Sequence, residues 1–210
     1  MTLAEKLSNF NGSSSESELQ KKFENLAPAF LYGGYIQVRN EYRIYIRTVE
    51  FYFHSEKHDG IHDPIVYHRD GRDLERSPYF PPITLNAHTS GFDITFESEP
   101  DRYRASALIR SYEVKTSDGK YLKWDTEKGM FIESEKYGYN TQSTYLYSLL
   151  NGFALDDNIG IKWIDAQKTI SADLLIKPRQ NVFQSEKDFE YKPTKIRCER
   201  MWSFTRKEQI

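Results

Sequence analysis

The sequence predicts an α+β fold: a single domain with a curved, mainly antiparallel β-sheet and a few peripheral helices. Two observations point there. Tyr and Phe are abundant, 15 and 13 of 210 residues, and aromatic rings favour the half-buried pleated surface of a sheet. Strand-like runs bounded by Gly, Asp, Asn and Pro signals also outnumber helical ones along the whole chain. The length suffices for a full hydrophobic core within one domain. No internal repeat or heptad pattern is present.

Residues 1–15 are expected to form a flexible, loosely attached N-terminal arm, with 16–210 as the folded domain. The polar hinge from Gly12 to Glu18 ends in Ser15 and Glu18, spaced as a capping box, so a helix follows to about Leu26. Strands are predicted over 35–39 and 42–53, turning at Asn40-Glu41. Strict alternation in the second strand puts Ile44, Ile46, Thr48, Glu50 and Tyr52 on one face. Arg43, Tyr45, Arg47, Val49, Phe51 and Phe53 take the other. Glu50 then stands in line with two isoleucines on a face that should be buried.

Residues 54–81 read as a long polar loop with Asp-Gly, Asp-Pro and Pro-Pro signals, a length usually reserved for functional or mobile segments. Strands follow at 83–87, 92–97, 103–114 and, past Asp118-Gly119, 120–124. A helix is predicted over 141–151, ended by Asn151-Gly152. Later strands are predicted near 160–164, 173–177, 194–199 and 201–206.

The net charge of −2 and pI near 6.2 lack the global basic footprint of a dedicated duplex-DNA binder, though a local basic patch stays open. The single cysteine, Cys198, excludes an internal disulfide and a cysteine-based zinc site. It reads as a small buried hydrophobe. Met1 to Asn11 holds no apolar signal core, and no run reaches the ~18 apolar residues of a membrane helix. The expectation is a cytoplasmic monomer with no membrane partner.

Chemistry-bearing residues cluster in the first half. Glu50 among apolar neighbours would be desolvated, which suits a general base. The alternative is an ion pair with a neighbouring strand, for which Arg110 is the candidate. All five histidines fall between 54 and 88, and His54, His58 and His62 are spaced by four. That spacing suits a metal on a helix, with Asp59 and Asp63 as possible further ligands. Asp59-Gly60 and Asp63-Pro64 break such a helix, so solvated loop histidines are the other reading. The charged run from His68 to Arg76 is either a surface loop or a cleft lining. Phosphate-cradling glycine loops and the nucleophile-elbow serine motif are absent.

In order, these segments resemble the alkyladenine (3-methylpurine) DNA glycosylase family. Leu26-Ala-Pro-Ala-Phe-Leu-Tyr-Gly-Gly-Tyr-Ile36 is similar to the family's opening segment, and Thr48-Val-Glu-Phe-Tyr-Phe53 to its glutamate-bearing strand. His68-Arg-Asp-Gly-Arg-Asp-Leu-Glu-Arg76 and Ala105-Ser-Ala-Leu-Ile-Arg-Ser-Tyr-Glu113 resemble its histidine and arginine segments. Ser143 to Gly152 resembles a later helix and Lys195 to Phe204 the closing strands, so the resemblance spans about 26–206.

The resemblance implies a monofunctional glycosylase with no metal or organic cofactor. Glu50 would activate the attacking water and Arg110 would hold both. Tyr52 and His68 would sandwich a flipped base, and Asp93 would stand where the family has a pocket asparagine. No lysine is placed for a Schiff base. The chain departs from the family in a longer Tyr52-to-His68 gap and in the stretch Ile83 to Gly91, which lacks the wedge tyrosine. These departures bear on duplex-DNA binding more than on the fold. Two alternatives follow: a non-catalytic nucleobase- or nucleotide-binding protein on the same scaffold, or a metal-dependent hydrolase using His54, His58 and His62.

Overall fold

A computed structural model describes residues 1–68 (for His68 the backbone alone), 77–81, 83–150, 160–166 and 173–207. Its centre is a pair of long antiparallel strands, β2 (Tyr42–Ser55) and β5 (Tyr103–Thr116). Before them come helices α1 (Leu3–Ser8) and α2 (Glu16–Leu31) and strand β1 (Gly34–Val38). Between them lie β3 (Leu85–His88) and β4 (Gly91–Thr95); after them come β6 (Tyr121–Asp125), β7 (Met130–Ser134) and β8 (Ile161–Asp165). The chain ends in β9 (Leu174–Lys177), β10 (Phe183–Ser185), β11 (Pro193–Arg197) and β12 (Ser203–Arg206).

The main sheet runs β3-β4-β5-β2-β1-β8, all antiparallel, with the β6–β7 hairpin on β5 and β12, then β9, on β2. β10 and β11 form a separate ribbon. The fold is thus α+β, one domain on a curled antiparallel sheet. Among the described residues no helix is long and apolar enough to cross a membrane.

The curl has a local cause. Ile46 pairs with Tyr112, Thr48 with Ser111 and Val49 with Ile109, so Arg47 and Arg110 are each an extra residue in their strand. Facing bulges of this kind keep the register but invert the side-chain alternation of both strands and sharpen their twist. The core face therefore runs Ile44, Ile46, then Val49, Phe51, Phe53 on β2, and Ala105, Ala107, Ile109, then Tyr112, Val114 on β5. The strands also exchange partners here: β1 and β6 flank one end, β12 and β4 the other. Strict alternation is overturned at this point. Glu50 does not share a face with Ile44 and Ile46; it lies on the outer face beyond the bulge, and is buried there by other means.

Helix α2 covers the core face with Leu19, Phe23, Leu26 and Phe30, one stripe at helical spacing. Phe23 stacks on Phe51 at 4.6 Å and meets Trp202 edge-on at 5.1 Å. The helix continues to Leu31 past the expected end because Ala29, Phe30 and Leu31 are buried in the core, which offsets the cost of Pro28 inside it.

Residues 1–15, expected as a loose arm, carry α1 under a Thr2–Glu5 capping box. Leu3 and Leu7 are buried, and Tyr103 Oη donates to the Phe10 carbonyl at 2.9 Å. Each fully buried leucine contributes about 1.5–3 kcal/mol. The helix expected over 141–151 is instead a 3-10 helix, Ser143–Ser148; residue 151 falls outside the described residues. Ser143 and Leu146, both buried, are spaced by three, the repeat that a 3-10 turn aligns on one face. The other predicted strands are present within a few residues of their expected ends, while β7 and β10 add to them.

Candidate functional site

Beyond the bulge, residues directly opposite one another form a row across the outer face: Asp93 (β4), Leu108 (β5), Glu50 (β2), Ser203 (β12) and Lys177 (β9). A smaller apolar cluster closes over part of this face. Ile65, Val66, Tyr67 and Val182 pack there against Tyr52 and Leu108. Glu50 thus sits between a covered region and an open cleft.

Its carboxylate is 1 % exposed and fully engaged. Oε2 accepts from Arg110 Nε at 2.6 Å and from Tyr52 Oη at 3.2 Å, while Oε1 accepts from the Gln180 backbone N–H at 2.8 Å. The Arg110 side chain keeps about a quarter of its surface in solvent. Burial works against its charge, but the Tyr52 and Glu50 oxygens outweigh it and hold the guanidinium above its ordinary pKa. Burial, then the Glu50 charge, push the Tyr52 phenol well above its usual range. Tyr52 is therefore a neutral donor to Glu50 at any ordinary pH. The pair opens on a cleft of about 580 Å³ whose wall also carries Lys177, Arg197, Cys198 and Glu199, a volume within the range of small-molecule sites.

The sequence reading missed Arg179, also in that wall. Its guanidinium lies 4.5 Å from the Tyr52 ring centre and 5.0 Å from that of Trp202. It donates to both Asp63 oxygens, at 2.5 and 3.3 Å, and to the Phe51 carbonyl at 3.3 Å. Burial works against its charge; Asp63 outweighs that and holds it above the ordinary value. The Tyr52 ring, expected to stack on a base, is 3 % exposed with Arg179 against it. The available signal was Lys177-Pro-Arg-Gln180, a basic pair leaving a strand at a proline.

Asp93 is 2 % exposed and lies across Leu108 from Glu50; its Oδ2 is 2.9 Å from His88 Nε2. It is not part of the cleft wall around Glu50. His68 ends a 3-10 turn, Val66–His68, whose Tyr67 has φ +59, a left-handed conformation uncommon for a bulky residue. Tyr67 is fixed in it by donating to Glu97 Oε1 at 2.8 Å and to the Ala105 carbonyl at 3.1 Å. The side chain of His68 and the run 69–76 lie outside the described residues.

His54, His58 and His62 are not brought together. His54 is buried and its Nδ1 accepts from the Asp63 N–H at 3.1 Å. Burial lowers its pKa to about 4, so it is neutral at pH 7. The His62 ring is 5.5 Å from that of His54, but His58 is exposed and meets His62 only through its carbonyl, 3.2 Å from Nε2. Among the described residues no group of His, Cys, Asp and Glu is placed to hold a metal ion.

A second buried ion cluster pins part of the long loop to the sheet. Arg104, 1 % exposed, bonds Glu56 at 2.7 Å and Glu97 at 3.1 Å. It also donates to the Ser77 and Pro78 carbonyls and lies 3.6 Å from the Tyr79 ring centre.

No protein-family model, curated protein or solved structure matches this chain.

Proposed function

We propose that the cleft at Glu50 hydrolyses the N-glycosidic bond of damaged purines in DNA by water attack, on a scaffold like that of the alkyladenine DNA glycosylases. The observation that carries this is the Arg110–Glu50 contact of 2.6 Å at the wall of an open cleft. A water in the cleft against Glu50 loses its proton to the carboxylate as its oxygen attacks the sugar C1′, and the base leaves with the bonding electrons. Arg110, Tyr52 and the Gln180 N–H hold the carboxylate in one orientation throughout. In this reading Tyr52 is a positioning residue, because Arg179 lies against the ring that would otherwise stack on the base.

The test is base release from single-stranded and duplex oligonucleotides carrying hypoxanthine or ethenoadenine. The expected result is abasic sites with the native protein and a loss of about a hundredfold or more in Glu50→Gln. Absence of abasic sites on every substrate, at high protein and low salt, overturns the proposal.

A second reading is a protein that binds a nucleobase or nucleotide without cleaving it. It is favoured by the fact that both Glu50 oxygens already accept hydrogen bonds. Salt separates the two: affinity for a DNA strand falls steeply with ionic strength, whereas that for a free base does not.

A further inference from the structure

On the other side of the double bulge, the same outer face of β2 and β5 changes character. Its rows are set by register: Gln37 on β1 opposite Arg43 on β2, Arg43 opposite Lys115 on β5, Lys115 opposite Tyr121 on β6, and Tyr45 opposite Glu113, with the Tyr35 ring of β1 beside that of Tyr45. These positions alternate with the core residues Ile36, Ile44 and Val114, so their side chains point outward. Tyr35, Arg43, Tyr45, Lys115 and Tyr121 are all partly exposed, and Tyr137 beside them is 45 % exposed.

The side chains form a continuous chain of rings and cations. Arg43 lies 5.7 Å from the Tyr35 ring centre, and the Tyr35 and Tyr45 rings are 5.1 Å apart. Lys115 Nζ is 5.4 Å from the Tyr45 ring and 4.4 Å from that of Tyr121, which in turn meets Tyr137 at 5.4 Å. The carboxylate within this patch, Glu113, is held by Arg47 at 2.7 Å and by Tyr137 Oη at 3.1 Å. On a chain of net charge −2 this is a local excess of positive charge, interleaved with flat rings over about 14 Å, the span of β1, β2, β5 and β6 at ~4.8 Å per strand.

We infer that this open half of the sheet face binds single-stranded nucleic acid, its bases stacking on Tyr35, Tyr45 and Tyr121 and its phosphates meeting Arg43 and Lys115. A ring face on a sheet accepts any unstacked base, and cations between the rings follow the backbone, which is the chemistry of sequence-tolerant single-strand binding. A duplex offers no unstacked base to these rings. The surface stands apart from the Glu50 cleft, and its readout is binding rather than base release, so failure of the glycosylase reading leaves it intact.

Fluorescence anisotropy with a short labelled single strand of mixed sequence tests it at low and moderate salt. A Tyr35→Ala/Tyr45→Ala protein, checked for folding by circular dichroism, is expected to lose about ten- to a hundredfold in affinity. The Tyr35→Phe/Tyr45→Phe protein keeps the rings and is expected to bind like the native one. Lys115→Ala is expected to reduce the salt slope by about 0.7. No binding by the native protein overturns the inference, as does equal binding by the alanine pair. Equal competition by the matching duplex or by polyglutamate overturns it too, since neither needs the rings.

Discussion

The outer face of β2 and β5 is one surface treated in two ways. Beyond the bulge it is covered except at the Glu50 cleft, and its arginines are matched by carboxylates: Arg104 with Glu56 and Glu97, Arg110 with Glu50, Arg179 with Asp63. Before the bulge it is open apart from the buried Arg47–Glu113 pair, and Arg43 and Lys115 lie over tyrosine rings. The difference follows from solvation. A buried guanidinium has lost its water and persists only with a close counter-charge and further hydrogen bonds. A partly solvated cation keeps most of its hydration, and a ring face adds about 0.5–1 kcal/mol. The covered half is therefore brittle to the loss of one partner, while the open half tolerates substitution and can exchange its contacts for a ligand's.

The largest expected effect breaks the covered half. Asp63→Ala leaves Arg179 buried against Tyr52 and Trp202 without its carboxylate. A loss of about 3–5 kcal/mol is expected in urea unfolding. A loss below about 1 kcal/mol would mean that Arg179 escapes to solvent through the cleft.

Next comes pH. His54 has its pKa lowered from 6.5 to about 4, first by burial. The unfolded chain binds this proton more readily than the native one, so the contribution is fully present above pH ~6.5 and is lost as pH falls toward 4. A decline of about 3 kcal/mol across that window is expected in unfolding measured against pH. His54→Asn, which cannot titrate, should flatten that part of the profile.

The smallest effect sharpens the contrast from the open side. Lys115→Ala removes contacts to Tyr45 and Tyr121 at a partly exposed position. It should change stability by less than about 1 kcal/mol while still lowering the salt slope of strand binding. A stability loss as large as that of Asp63→Ala would show that the two halves do not differ as described.

Part of the candidate site was legible in the chain. Glu50 reads as a carboxylate in a strand that must be buried, and the Arg110 ion pair was one of its two expected readings. Arg110 stands beside it because each strand carries one extra residue at the same level. That bulge was itself half visible: Ile46 to Val49 and Ile109 to Tyr112 are core residues three apart in strands whose period is two. The pairing of Arg179 with Asp63 gave no such signal. The two are separated by 116 residues and meet only through the fold.

Local pattern alone determined that this is a strand-rich α+β chain, roughly where its strands begin and end, and that a carboxylate is trapped in one of the two longest. Periodicity and turn chemistry act within a few residues, so they can be read without knowing the fold. Tertiary structure decided which face Glu50 occupies, what lies against the Tyr52 ring, and that the three spaced histidines do not converge. Those outcomes depend on a paired bulge between distant strands and on which buried charge finds which partner. Both are settled by the desolvation and packing of residues far apart in sequence.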